Sequence, residues 1–331
     1  VGSGPWELNA SDIEGASYQA SPGYYEAGLP YLDGLDIRVI ADPGTRVAAV
    51  RNRLLDLDQA AFSDVKAAAA AFPDIRVTRV LEPGAGVSIG LNAAVAPLDS
   101  PEVRRAVMAA IDPGAIIRAV WEGEGVVSAG LPVSGASWML PQAEMQSFFG
   151  TAFADYSAGL AGQPPLMGQK LRITAGQFGQ RYVETARLMA AALAAHGFDA
   201  ELVEVTTRDF AEKVWLGGDY QIFAGAQPPV SSLNSYLYSV FHSKGAWNTP
   251  KYTSAALDEL IERQAAEHDP EARRLLVLEV QREVMRAAVR FTLVTRVSHW
   301  MSWGYVRDFT PNLYRGENFW LAQVWLSSAS K

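Results

Sequence analysis

Between residues 171 and 224 two apolar periodicities alternate, and that alternation restricts the fold more than any other feature of the chain. Leu171-Arg172-Ile173-Thr174 reads as a strand, with Ala175-Gly176-Gln177-Phe178-Gly179 as its exit loop. Arg181 to His196 is strongly helical and is closed by Gly197, the residue type best suited to a left-handed C-cap. Ala200 to Val205 is a second strand, Arg208 to Leu216 a second helix and Tyr220 to Ala224 a third strand. Strand, helix and strand at this spacing imply parallel pairing and an α/β sheet.

The opening third repeats the pattern. Leu35 to Ile40 alternates apolar and charged residues, Asp42-Pro43-Gly44 is a turn, and Thr45 can cap a helix through Leu55. Ser63 caps a second helix from Asp64 to Phe72, Ile75 to Val80 is a strand, and Val87 to Asn92 is another after a Pro83-Gly84 turn. Parallel pairing is expected here too. Ser100-Pro101-Glu102 opens a helix to Ile111, and Asp112-Pro113-Gly114 opens a shorter one to Trp121. From Gly123 to Gln169 the chain is rich in Gly, Pro and Ser and reads as a wrapping loop with a helical piece at Pro141 to Phe149. Two amphipathic helices, Ser254 to His268 and Pro270 to Arg286, precede a last central strand at Phe291 to Val297. Gln323 to Leu326 reads as a strand returning to another domain.

Composition excludes several chemistries. The 331 residues contain no cysteine, which removes disulfides, zinc-thiolate centres and cysteine nucleophiles. A net charge of -8 without any Lys/Arg cluster disfavours nucleic acid, whose phosphates need a basic face. The histidines (His196, His242, His268 and His299) show no metal-ligand spacing, so no metal site and no cofactor is expected. Phosphate-cradling glycine loops are missing as well, and no acid, base and nucleophile come together in the sequence. Binding, with no catalytic residues, is the expectation.

Aromatics and amides carry the binding argument. Trp138, Trp247, Trp300, Trp303 and Trp320 fall in loops or at element ends; they serve either to bury area at domain joints or to line a cleft. The richest candidate segment follows the strand at Tyr220 to Ala224 and runs from Gln227 to Asn248. In open α/β sheets ligands bind beyond the carboxyl ends of the strands, where this segment must lie. Its neutral donors and acceptors suit a polyhydroxylated or otherwise neutral solute. The candidate ligand-binding residues are Gln227, Ser231, Ser232, Asn234, Tyr236, Trp247 and Asn248, joined by Phe178, Trp138, Asn92 and Arg296. Arg296 is read either as a partner for an anionic ligand group or as one half of a salt bridge between lobes.

Several stretches taken together resemble the family 5 solute-binding proteins of ABC transporters, the oligopeptide, dipeptide and nickel type. Gly2-Ser3-Gly4-Pro5-Trp6 resembles the family's GTGPY segment, and Gly28 to Asp33 its G-x-P-x-L-D. Ala41 to Arg46 resembles its D-x-x-T helix start. Asn92, then Asp99 to Asp112 with Val103-Arg104-Arg105-Ala106, resembles N…VRxAxxxAID. Lys251 to Ile261, His268 to Arg273, Glu279-Val280-Gln281 and Val324-Trp325-Leu326 follow in the family's order. The resemblance implies a two-lobed, type II periplasmic-binding-protein-like α/β fold with an interlobe cleft that closes on its ligand. It implies residues 1–96 as part of lobe I, 97–300 as a complete lobe II and 301–331 as a return to lobe I, with a further part of lobe I preceding this sequence. It implies a monomer outside the cytoplasm, periplasmic or extracellular, that meets a membrane permease directly or from a lipid anchor, and it implies no enzymatic activity.

Two departures matter. Arg53-Leu54-Leu55-Asp56 stands where many members have a glycine before the aspartate. Peptide-binding members carry an aspartate after the strand equivalent to Tyr220 to Ala224, but no acid occurs here from Tyr220 to Leu257. A buried peptide ammonium would lack its counter-ion, so the expected solute is not an ordinary free-amine peptide but a saccharide- or opine-like molecule. The alternatives are a nickel- or haem-binding member of the family, and a secreted carbohydrate-active hydrolase with paired carboxylates.

Overall fold

The computed structural model describes residues 2–133, 135–149, 168–228, 232–311 and 320–327. The chain divides into two compact units, Val1–Val80 with Val297–Lys331 (unit 1) and Leu81–Arg296 (unit 2). The sequence reading sets the divisions at 96/97 and 300/301.

Unit 2 is built on β5 (Ile75–Leu91, from Leu81 onward), β6 (Gly125–Ser128), β7 (Lys170–Gly176), β8 (Asp199–Val205), β9 (Ile222–Gly225) and β10 (Arg290–Trp303, up to Arg296). Their order is β6-β10-β5-β9-β7-β8. Strands β7, β8 and β9 are parallel, with Ile173 opposite both Leu202 and Ile222. Strand β5 runs antiparallel to β9, with Leu91 opposite Ile222, and β6 runs antiparallel to β10. The parallel pairing expected from the sequence therefore holds for the second block.

Helices of unit 2 start where local chemistry tells them to. They are α3 (Pro101–Ala109), α4 (Pro113–Val120), α5 (Gln142–Gln146), α6 (Gln180–Ala195), α7 (Thr207–Phe210, continuing as a wider turn over Ala211–Gly217), α8 (Leu233–Tyr236, continuing likewise over Leu237–Phe241), α9 (Ala255–Ala266) and α10 (Pro270–Ala287). Ser100, Asp112, Ser254 and Asp269 each accept the backbone N–H three residues on, Asp269 from Ala272 at 2.7 Å. A proline in the first turn of α3, α4 and α10 has no amide hydrogen to leave unsatisfied. The apolar faces of most of these helices and inward residues of β5, β7 and β9 form a large core that includes Ile89, Ile173, Met189, Val240, Val280 and Phe291, while Phe210, Val214, Tyr220 and Phe223 form a smaller cluster of their own.

Unit 1 is built differently. Strands β1 (Trp6–Asp12), β2 (Gly15–Ala20) and β3 (Gly34–Arg38) form an antiparallel three-stranded sheet of their own. β4 (Leu57–Ala60) pairs antiparallel with the Ser302 to His299 stretch of β10, and β11 (Val306–Arg307) pairs with the tail strand β12 (Trp325–Leu326). Helices α1 (Pro43–Arg51) and α2 (Phe62–Ala71) pack on a small core of Val50, Val65, Ala68, Met301 and Trp303.

Local readings are corrected at four places. β3 pairs only with β2, antiparallel, so the first block is not a parallel strand-helix-strand unit. Asp42, not Thr45, caps α1; its carboxylate accepts from the Thr45 backbone N–H and hydroxyl. Helix α2 begins at Phe62 behind Ala61, which makes no side-chain cap, and does not begin after Ser63. Pro83-Gly84 is not a turn, because β5 runs through it unbroken. The glycines there serve close approach: a Cβ on Gly84 would come within 2.9 Å of Pro132 Cα, and one on Gly86 within 1.9 Å of Val294 O.

Candidate functional site

Parallel strands β7 and β9 both end in glycine. A Cβ on Gly176 would meet the Phe178 ring at 2.4 Å, and one on Gly225 the Phe210 ring at 2.4 Å. The strand ends are bare so that aromatic rings can lie on them. Phe210 and Phe223 are fully buried beneath, at 5.8 Å and perpendicular. Phe178 and Trp215 lie above, half-buried and stacked, with centroids 5.9 Å apart and planes 26° apart. The Trp215 Nε1–H donates to Ala226 O at 3.3 Å, which sets the indole's orientation. Tyr182 continues the row, 5.7 Å from Phe178 and 6.1 Å from Trp121. The result is an aromatic platform at the carboxyl ends of a parallel sheet, the place where α/β folds take ligands.

Beside it stands an ion pair that joins two neighbouring strands. Arg296 Nε donates to Glu82 Oε2 at 2.5 Å, and Nη2 reaches the same oxygen. The two residues are unequal: the Glu82 side chain is 2 % exposed, the Arg296 side chain 44 %. Glu82 Oε1 is buried and accepts no hydrogen bond. Burial pushes the Tyr182 phenol above its usual range; Arg296 opposes that rise and Glu82 adds to it, so all three sit within one another's field.

The sequence-predicted residues divide by what holds them. The Gln227 amide donates through Nε2 to Gly130 O at 2.7 Å and to Thr292 Oγ1 at 2.9 Å, while its Oε1 is buried without a hydrogen bond. Phe178 and Arg296 stand in the platform and the ion pair just described. Glu82, the partner of Arg296, lies with it in unit 2. Asn92 is buried and donates to Gly218 O and Tyr220 O, tying the end of β5 to the entry of β9. Asn248 is likewise buried and bonds Tyr252 O at 2.6 Å.

Among its described residues, the segment from Gln227 to Asn248 is helical over Leu233–Phe241. Ser232 caps α8 by accepting from Ser235 N, and Tyr236, Leu237, Val240 and Phe241 bury at helical spacing. Tyr236 is fully buried, near the Arg290 guanidinium at 5.8 Å. Asn234 is exposed and accepts from Gln264 Nε2 and Arg273 Nη2. Trp138 and Trp247 pack partly buried on the unit 2 core. Ser231 lies outside the described residues.

Glu82 is the residue that sequence reasoning misses. It sits 214 positions from Arg296, just before the Pro83-Gly84 pair read as a turn, and only the β5–β10 pairing brings the two together. Among the described residues no group of three or more His, Asp or Glu side chains is placed to hold a metal ion. No helix among them is long and apolar enough to cross a membrane.

A family model described as bacterial extracellular solute-binding proteins, family 5 (middle) matches residues 1–248. The chain belongs to this family. Solved structures of the family agree with the fold. A peptide-binding protein from Clostridium difficile described as AppA superposes with a TM-score of 0.82 at 15 % identity, covering 98 % of this chain and 67 % of that one. The protein AgaA of A. tumefaciens R10, solved with agropinic acid, gives 0.72 at 20 % identity, covering 99 % and 67 %. NikA from Brucella suis, solved with Fe(III)-EDTA, gives 0.76 at 16 % identity, covering 98 % and 68 %. At these identities the likeness carries the fold, the mixed α/β fold of type II periplasmic binding proteins. Curated family relatives match over shorter stretches. Heme-binding protein A of Haemophilus influenzae is 33 % identical over 140 residues, 42 % of this chain and 25 % of its own length. The glutathione-binding protein GsiB of Escherichia coli is 28 % identical over 144 residues, 40 % and 26 %. The chain thus spans about a quarter of the length of the curated relatives it matches.

Proposed function

We propose that this protein is the solute-binding component of an ABC importer, capturing a small organic molecule outside the cytoplasm and delivering it to a membrane permease. On this reading unit 2 is lobe II, unit 1 is part of lobe I, and the protein acts as a monomer without a cofactor and without catalysis. The observation that carries it is an aromatic platform with an adjacent half-buried ion pair at the carboxyl ends of β7 and β9, in a chain that belongs to the family 5 binding proteins. The relatives named above are described with ligands as different as heme, glutathione, agropinic acid and Fe(III)-EDTA, so the family by itself does not choose the solute. The acid-free helix and loop after β9 argue against an ordinary free-amine peptide and for a saccharide- or opine-like solute.

Native mass spectrometry of the full-length protein from its own host tests the reading. A discrete added mass that leaves on denaturation is expected. A protein that carries no solute and binds no sugar, opine, peptide or metal would overturn it. Heme or nickel in the purified protein would favour the metal-binding alternative, and release of reducing sugar from a polysaccharide the hydrolase alternative.

A further inference from the structure

Two acceptor oxygens near the strand ends are buried, held in place from behind, and without a donor of their own. Glu82 Oε1 is one; its carboxylate is fixed through Oε2 by Arg296. Gln227 Oε1 is the other; its amide is fixed through Nε2 by Gly130 O, which can only accept and so sets which end of the amide is oxygen. Both are anchored on β10, at Arg296 and Thr292, and four residues of extended strand span roughly 13 Å. Next to the Glu82–Arg296 pair lies Tyr182, and beyond it the half-buried faces of Phe178 and Trp215. Buried acceptors left without donors are costly, so the group that completes them brings hydrogen-bond donors.

We infer that the solute of this site is a hydroxyl-rich, carbohydrate-type molecule whose O–H groups donate to Glu82 Oε1 and Gln227 Oε1 and whose C–H face lies on Phe178 and Trp215. The inference rests on the solute-binding reading and narrows it. Charge decides between donors. Arg296 already neutralises Glu82, so an ammonium placed there would be an additional buried cation, whereas a hydroxyl donates without bringing charge. The negative π faces of the platform accept the weakly positive C–H groups of a sugar ring. Glu82 thus acts as a ligand-contacting residue, and Arg296 as the residue that positions it.

Calorimetric titration of the full-length protein with maltose, cellobiose, trehalose and, as a peptide control, trialanine tests this. At least one disaccharide binds and trialanine does not. Glu82→Gln, which turns an N–H towards the ligand hydroxyl, weakens that binding roughly 10- to 100-fold. Its melting temperature, measured alongside, shows that the variant is folded; Phe178→Leu, which keeps Glu82 intact, gives a second and smaller loss. Trialanine binding in place of the sugars, a co-purified solute without hydroxyl groups, or a disaccharide affinity unchanged in Glu82→Gln would each overturn the inference while leaving the receptor reading standing. A protein that binds none of the disaccharides would overturn the inference alone; one that also carries no co-purified solute and binds no opine, peptide or metal would remove both.

Discussion

The two units solve the burial problem to different degrees. Unit 2 closes a large core and a smaller aromatic cluster between helices and a mixed sheet, and five of the seven residues of its strand β7 are buried. In unit 1 most of β1 and β3 is exposed, and the core is a small cluster around Trp303. Most of the exposed large apolar side chains among the described residues belong to unit 1, Ile13, Tyr25, Val39 and Leu54 among them. Unit 2 is the larger, so the imbalance is not one of size. The lesson is that unit 2 is stabilised by its own packing, whereas unit 1 relies on a few anchors such as Trp303 Nε1 donating to Val50 O and Tyr305 Oη donating to Asp56 Oδ1.

Four experiments break or sharpen that contrast. The largest effect is expected in the core of unit 2. Phe291→Ala removes a fully buried ring that meets Phe149 edge-on at 5.3 Å, and should cost about 3–5 kcal/mol in denaturant unfolding. Leu54→Ala in unit 1, where the side chain is 73 % exposed, should stay within about 0.5 kcal/mol. Equal losses would end the comparison. Hydrogen exchange should show the same order: amides of β7 and β8 open only with global unfolding, those of β1 to β3 by local opening. Exchange at one common rate would mean that unit 1 gains protection from packing not seen in its own core.

Arg290 offers a smaller test inside unit 2. The residue is 2 % exposed, with Nε and Nη2 buried and making no hydrogen bond and the Phe223 ring 5.2 Å from the guanidinium carbon. Arg290→Met keeps the volume and removes a buried charge, so thermal melting should rise by the equivalent of about 1 kcal/mol. A fall would show that stacking on Phe223 and Tyr236 outweighs desolvation.

The smallest effect is electrostatic. Burial raises the Asp58 carboxyl above its ordinary range, against the pull of Arg46 at 3.4 Å. In unit 2 a hydrogen bond from Arg282 lowers Glu144. The signs are opposite. The folded state holds the Asp58 proton more tightly than the unfolded chain, so its contribution falls as pH rises from the unfolded pKa through the folded one. Glu144 contributes above its unfolded pKa and loses that contribution as pH falls through the lowered folded value. Asp58→Asn should therefore flatten the decline in stability on the alkaline side of pH 4, and Glu144→Gln should flatten the acid limb. Unchanged stability–pH curves in both variants would show that neither group is differently placed in the folded state.

Much of the fold is legible along the chain, and the exceptions share a cause. Helices α3, α4, α9 and α10 begin at the Ser or Asp residues their sequences announce, because a cap is a bond between residues three apart. The parallel trio β7, β8 and β9 is legible too, since the intervening helices dictate the crossover. Helix α8 is not, because Pro, Ser and Asn disguise a buried stripe that only packing against the core reveals. Gly84 reads as a turn residue until the structure shows why a side chain is forbidden there: a Cβ would come within 2.9 Å of Pro132 Cα.

At the candidate site the divide is sharper. Sequence alone placed Gln227, Phe178 and Arg296 among the candidates, because each follows or ends a recognisable strand and the residue types suit a solute. Only the tertiary structure joined Arg296 to Glu82 and Gln227 to Thr292 and Gly130. It also drew Asn92 and Asn248 into backbone hydrogen bonds. Local order follows from propensities and caps that act over a few residues. Which side chains face one another across a sheet depends on strand order and register, and those are set by the burial of the whole core.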